Sequence, residues 1–185
     1  GLALVGFLIS HLIGNLLLIK ADGTSFNTYA HTLQSYGILL TFAELGLAAL
    51  FVLHIASAIS ISRRNRGARP ENYKMVKTKG GPSYASPASR NMLITGMVVL
   101  VFLIIHIWQF RFGAGIEAGY ITTIQSATAR DLHKLVVETF RTPLFAGLYA
   151  VCMVILGFHL RHGFWSAFQS LGILNNESRQ KLSCL

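Results

Sequence analysis

Seven histidines are spread over the 185 residues, and four of them, His11, His54, His106 and His159, each lie inside a different long apolar stretch. An imidazole can relay a proton, hydrogen-bond between helices, or give a nitrogen lone pair to a metal. Burying such a ring without a partner costs on the order of 2–7 kcal/mol in a fully apolar medium, so each one needs a strong partner. A single histidine in a membrane helix commonly serves as interhelical glue. One on each of four helices raises the question of whether they meet in pairs.

Depth along the helices answers that question, because a helix rises about 1.5 Å per residue. His106 stands five residues before Arg111 and His11 nine before Lys20, roughly 8 and 13 Å below one boundary. His54 is seventeen residues past Gly37 and His159 sixteen past Pro143, roughly 24 to 26 Å from that same side. Two levels result, very roughly 12 to 18 Å apart, each with two histidines from different helices. Haem iron takes one imidazole on each face and brings a large apolar ring suited to a helix bundle in lipid. The spacing therefore predicts two stacked bis-histidine haem sites.

A porphyrin needs small neighbours, and Gly6, Ser10 and Gly14 surround His11, Ser57 and Ala58 follow His54, and Gly157 and Gly163 flank His159. Small residues also serve ordinary close packing of membrane helices. His31 and His133 lie in connections and His162 at a helix end, where surface or interfacial roles suffice; His159 is deeper than His162 and flanked by apolar residues. Glu44, seven residues into the second stretch, is a carboxylate at membrane depth. Such a group either marks a proton path or substrate site or snorkels to the interface. Trp108 and Gln109, just after His106, read either as walls of a quinone pocket or as residues of the interfacial belt.

The elements that must position these residues are membrane helices. The chain is 52% hydrophobic and only 12% charged, far from the usual soluble balance. Its apolar stretches, about 2–19, 37–62, 91–110 and 143–162, are long enough to cross a bilayer core of about 30 Å. The first lacks the basic lead-in and cleavage site of a signal peptide. Because the chain begins at Gly1 and stops at Leu185, four is not a final helix count. Cys152 and Cys184 form neither a CxxC nor a CxxCH pattern, which argues against disulfide frameworks, thiolate metal sites and covalent c-type haem.

The net charge of +9 does not point to nucleic acid, because it is concentrated in one connection. Residues 63–90 hold Arg63, Arg64, Arg66, Arg69, Lys74, Lys77, Lys79 and Arg90 against the single acid Glu71, which marks that loop as cytoplasmic. Connections 20–36 and 111–142 then face outward. In the second of these, "ATARDLHKLVVETF" spaces Leu132, Leu135, Val136 and Phe140 as an apolar stripe, which predicts an amphipathic surface helix over about 127–140. Propionates of a bound haem would seek the polar boundaries. Arg63 and Arg161 on the inner side, and Arg111 and Lys20 on the outer, are the available cations.

The segments "FLISHLIGNLLL", "FNTYAHTLQS", "FVLHIASAIS", "FLIIHIWQF" and "GFHLRHGFWSAF", in that order across nearly the whole chain, resemble a known family. It is the diheme cytochrome b membrane anchor of succinate:quinone oxidoreductases and fumarate reductases, of the single-subunit, five-helix type. The resemblance implies an all-α transmembrane bundle with four ligand-bearing helices around two non-covalent b haems. It places the distal ligands on His11 and His106, and the proximal ligands, nearest the cytoplasmic catalytic subunits, on His54 and His159. It also implies a flavoprotein with FAD and an iron-sulfur subunit docked on the cytoplasmic face of a bacterial-type inner membrane, exchanging electrons with membrane quinone. The family continues into a fifth membrane helix where this chain ends.

Two other classes of function remain open on the sequence. One is the cytochrome b subunit of another quinone-linked dehydrogenase, such as a formate dehydrogenase or hydrogenase. The other is a haem-free scaffold or transporter whose histidines bridge helices or relay protons. The cytochrome of quinol-cytochrome c oxidoreductases does not fit, since there each ligand helix carries two histidines about thirteen residues apart, and here each carries one at depth.

Overall fold

The computed structural model describes residues 1–68 and 91–172, apart from the side chains of Trp165, Gln169 and Ser170. Most of the basic connection and the tail with Cys184, Arg179 and Lys181 therefore lie outside the described residues. Helix α1 (Leu2–Asn15) ends in a 3-10 turn, Leu16–Ile19. It is followed by α2 (Thr24–Ser35), α3 (Ile38–Gly67), α4 (Met92–Phe110), a hairpin of β1 (Ile121–Ile124) and β2 (Ala127–Arg130), α5 (Leu132–Arg141) and α6 (Pro143–Ser170). Four helical segments, Leu2–Ile19, α3, α4 and α6, are long and apolar enough to cross a membrane. The protein is an all-α transmembrane bundle with a small ordered layer over one end.

Outward-facing apolar side chains are what such a bundle presents to lipid. Leu144 is 76% exposed, Ile38 71% and Phe42 66%, values that a water-facing helix would not sustain. The main seam lies between α4 and α6, where Phe102, Tyr149 and Cys152 are buried, with Phe110 packed against them. Helix α3 differs: none of its thirty residues is buried.

Helix ends depart from the sequence expectation in three places. Helix α3 runs five residues beyond position 62 to Gly67, because Arg63, Arg64 and Arg66 are good helix formers and cations at a helix C-terminus suit its dipole. Helix α6 continues past position 162 to Ser170, so His162 lies within the helix and not at its end as expected. No proline interrupts that stretch, and Phe164 and Phe168, one turn apart, bring their ring centres to 4.6 Å.

The third departure lies in the outer connection. The amphipathic helix begins at Leu132, not near 127, because Ala127–Arg130 is a strand paired with Ile121–Ile124 in antiparallel register, Ile121 opposite Arg130. Gln125 and Ser126 both take positive φ, 49° and 69°, as a two-residue type I′ turn requires. Neither is the Asn or Gly that usually announces that turn, so the sequence carried no hairpin signal. Asp131 then caps α5, its Oδ1 accepting from the Lys134 backbone N–H at 2.9 Å, as an N-cap carboxylate does. Thr142 is extended, φ −81° and ψ 113°, as the residue before Pro143 must be, and Pro143 opens α6 at the position where its missing N–H is harmless.

A buried asparagine ties this layer together. Asn27, 4% exposed on α2, donates from Nδ2 to Asp131 Oδ1 at 2.8 Å and accepts on Oδ1 from the His133 N–H at 2.9 Å. Phe26, Ile124, Ala129 and Leu135 are buried around it. Gly23, with φ +67°, has the His133 ring where a Cβ would stand, 2.6 Å from its Cγ. No side chain fits there, so the chain can turn from α1 into α2 beneath α5.

Candidate haem-ligand pairs

The four membrane histidines meet two by two. His11 of α1 and His106 of α4 have ring centres 5.7 Å apart with planes at 86°. His54 of α3 and His159 of α6 stand 6.3 Å apart, also at 86°. Two imidazoles bound to one metal from opposite sides, at about 2.0 Å per bond, have ring centres about 6 Å apart. With ring centres 6.3 Å apart, no nitrogen of His54 can come closer than about 4 Å to one of His159, beyond hydrogen-bond reach.

The helices also set the distance between levels. Gly96 of α4 lies against His159, whose Cε1 would stand 3.3 Å from a Cβ there. His106 follows ten residues later on the same helix, about 15 Å along its axis. On α6, Tyr149 packs near His106, with ring centres 6.1 Å apart, and it precedes His159 by ten residues. Helices α4 and α6 thus touch both levels, whereas α1 supplies its histidine to the outer level and α3 to the inner.

Aromatic side chains surround the outer pair. Phe102 and Phe110, one turn before and after His106, bring their ring centres to 5.8 and 5.3 Å from it, and Phe7, one turn before His11, stacks on it at 5.5 Å. The spacing of four residues puts these rings on the face of their own histidine, a signal already present in the sequence and missed there. Tyr149 arrives from α6 and was not legible by spacing. Its hydroxyl donates to Gln109 Oε1 at 2.7 Å.

Two buried side-chain nitrogens among the described residues have no hydrogen-bond partner: His106 Nδ1 and Arg130 Nη2. Arg130 reaches in from β2. It donates to Phe110 O at 2.9 Å and Ala114 O at 2.8 Å, capping the outer end of α4. The inner pair is held differently: His159 Nδ1 is 3.2 Å from Thr95 Oγ1.

Glu44 and Arg111 pair with each other across α3 and the end of α4, Nε to Oε1 at 3.0 Å and Nη2 to Oε2 at 3.2 Å. Trp108 points outward, 71% exposed. The space beside Gly14 seats the Tyr29 ring of α2, within 2.7 Å of where a Cβ would be. Nothing stands within 4 Å of the Cβ positions of Gly6, Gly157 and Gly163. Arg63 lines a shallow groove with Ile59, Ser62, Arg66 and Leu93 at the inner end, and Arg161 is exposed.

Among the described residues no three His, Cys, Asp or Glu side chains gather as a metal cluster. Each site offers two nitrogens. Haem needs no more, since its macrocycle already holds the iron and the protein adds axial ligands. The thirty-residue α3 without a buried residue fits a bundle whose interior is completed by an apolar group.

The succinate dehydrogenase cytochrome b558 subunit of Bacillus subtilis (strain 168) is 24% identical over 187 residues, covering 96% of this chain and 77% of that protein. The chain resembles a succinate dehydrogenase cytochrome b subunit. No protein-family model matches it, and no solved structure matches it significantly. The similarity to this cytochrome b runs along nearly the whole sequence, so it takes in the bundle as a unit rather than one motif.

Proposed function

We propose that this chain is the membrane anchor and electron-transfer subunit of a succinate:quinone oxidoreductase or fumarate reductase in a bacterial cytoplasmic membrane. It would bind two b haems, one between His11 and His106 and one between His54 and His159. The observation that carries this reading is the pair of imidazole spacings, 5.7 and 6.3 Å, at two depths of one bundle. The cytochrome b relative supports it.

Each haem, when bound, supplies reversible one-electron chemistry. The chain's residues do the rest. The imidazoles fix the position and tilt of each group, and the helix faces exclude water and so set how well a charge is tolerated. The basic end of α3, with Arg63, Arg64 and Arg66, would face the inner side, where an iron-sulfur subunit with its flavoprotein would dock. Quinone would exchange electrons at the outer level, near Gln109 and Tyr149, with Glu44 and Trp108 at the same end of the bundle.

A reduced-minus-oxidised absorption spectrum of the purified protein tests the reading. Two b-type haems per chain are expected, and no haem band would leave a haem-free scaffold. The soluble subunits that co-purify then separate this dehydrogenase from a formate dehydrogenase or hydrogenase: an FAD protein and an iron-sulfur protein active on succinate or fumarate are expected.

A further inference from the structure

We infer that Thr95 is a positioning residue for His159, fixing which of its ring nitrogens carries the proton and so setting the electronic character of the inner site alone. The inference rests on the proposed haem ligation and goes beyond it. Thr95 sits in the first turn of α4, within 3.2 Å of its own helix's Asn91 O and 3.1 Å of Met92 O, and 3.2 Å from His159 Nδ1. A threonine hydroxyl has one proton and two lone pairs. Donating that proton to either backbone carbonyl leaves the oxygen to accept from Nδ1–H.

The reverse arrangement, hydroxyl donating to Nδ1, would put the proton on Nε2. That N–H would have no acceptor in His54, whose ring is centred 6.3 Å away, and at membrane depth no water replaces the missing acceptor. With the proton on Nδ1, the Nε2 lone pair is free for a metal. Gly96 completes the seat: a Cβ there would press on His159 Cε1 at 3.3 Å, so adjacent residues supply the room and the hydrogen bond.

His106 has no counterpart, since its Nδ1 is buried and unpartnered. A hydrogen bond to the distal N–H makes a ligating imidazole a stronger donor, and a stronger donor favours the ferric over the ferrous state. The hydroxyl therefore lowers the reduction potential of the inner haem and leaves the outer one untouched.

The test is a redox titration of the intact complex, followed optically and by low-spin ferric EPR, in wild type, Thr95→Val and Thr95→Ser. H106A and H159A identify which signal belongs to which level. Thr95→Val should raise the potential of the inner haem by a roughly threefold to tenfold change in its ferric to ferrous equilibrium, up to about 59 mV for one electron. Thr95→Ser should return it. Unchanged potentials and EPR in Thr95→Val, or a shift confined to the outer haem, would overturn the inference. If the valine variant does not accumulate, Thr95→Cys, of similar size and a weaker acceptor, must move the same haem in the same direction. A wild type without haem is visible before any variant is made and defeats the ligation reading itself.

Discussion

The two histidine pairs share a ring geometry and differ in everything that holds it. The outer pair sits among Phe7, Phe102, Phe110 and Tyr149 and lies beneath an ordered layer locked by Asn27 and Asp131. The inner pair joins α6 to α3, the helix without a buried residue, and its one described polar restraint is the Thr95 contact. Packing aims the rings at one level and a hydrogen bond aims them at the other. These devices fail differently: an aromatic cage loses stability in proportion to volume removed, while a lost hydrogen bond alters tautomer and charge with little change in packing.

The largest expected effects come from the ligands. H106A should abolish one low-spin haem signal and spare the other, and H159A should do the converse. Both haems surviving either change, with unaltered spectra, would break the pairing. Next, Phe102→Ala should cost about 3–5 kcal/mol in thermal stability, as large-to-small changes at buried aromatic sites do, and should disturb the outer haem spectrum only. An equal disturbance of the inner haem would show that the two levels are not held separately.

Asn27→Ala should have a smaller effect, about 1–3 kcal/mol, because it leaves buried partners unsatisfied. It should appear first as faster proteolysis of the layer formed by α2, the hairpin and α5, with inner-haem absorption unchanged. Glu44→Gln should be mildest in stability, at most about 1 kcal/mol, since the ion pair with Arg111 lies at the end of the bundle with both side chains left largely uncovered by the protein, and such pairs contribute little. Slower quinone turnover at unchanged haem content is expected from it, and unaltered kinetics would remove Glu44 from the quinone site.

The outer layer shows why part of the fold was not legible. Hydrophobic runs and one deep histidine per run survive in any reading of the sequence, because a bilayer imposes length and apolarity residue by residue. The hairpin does not, since Gln125 and Ser126 hold positive φ that neither residue type advertises. Helix α5 was expected from its apolar stripe, but its start was displaced by the strand that precedes it.

Taken alone, the sequence determined four membrane helices, the depth of each histidine and which two share a level, because helical rise converts residue number directly into height. It could not determine azimuth, meaning which side of a helix faces which neighbour. Only the tertiary structure placed Thr95 and Gly96 of α4 against His159 of α6, Tyr149 against His106, and Arg111 on Glu44. Those contacts join residues forty or more positions apart, and the rotation of a long apolar helix in lipid is set by packing against its neighbours, not by its own hydrophobic pattern.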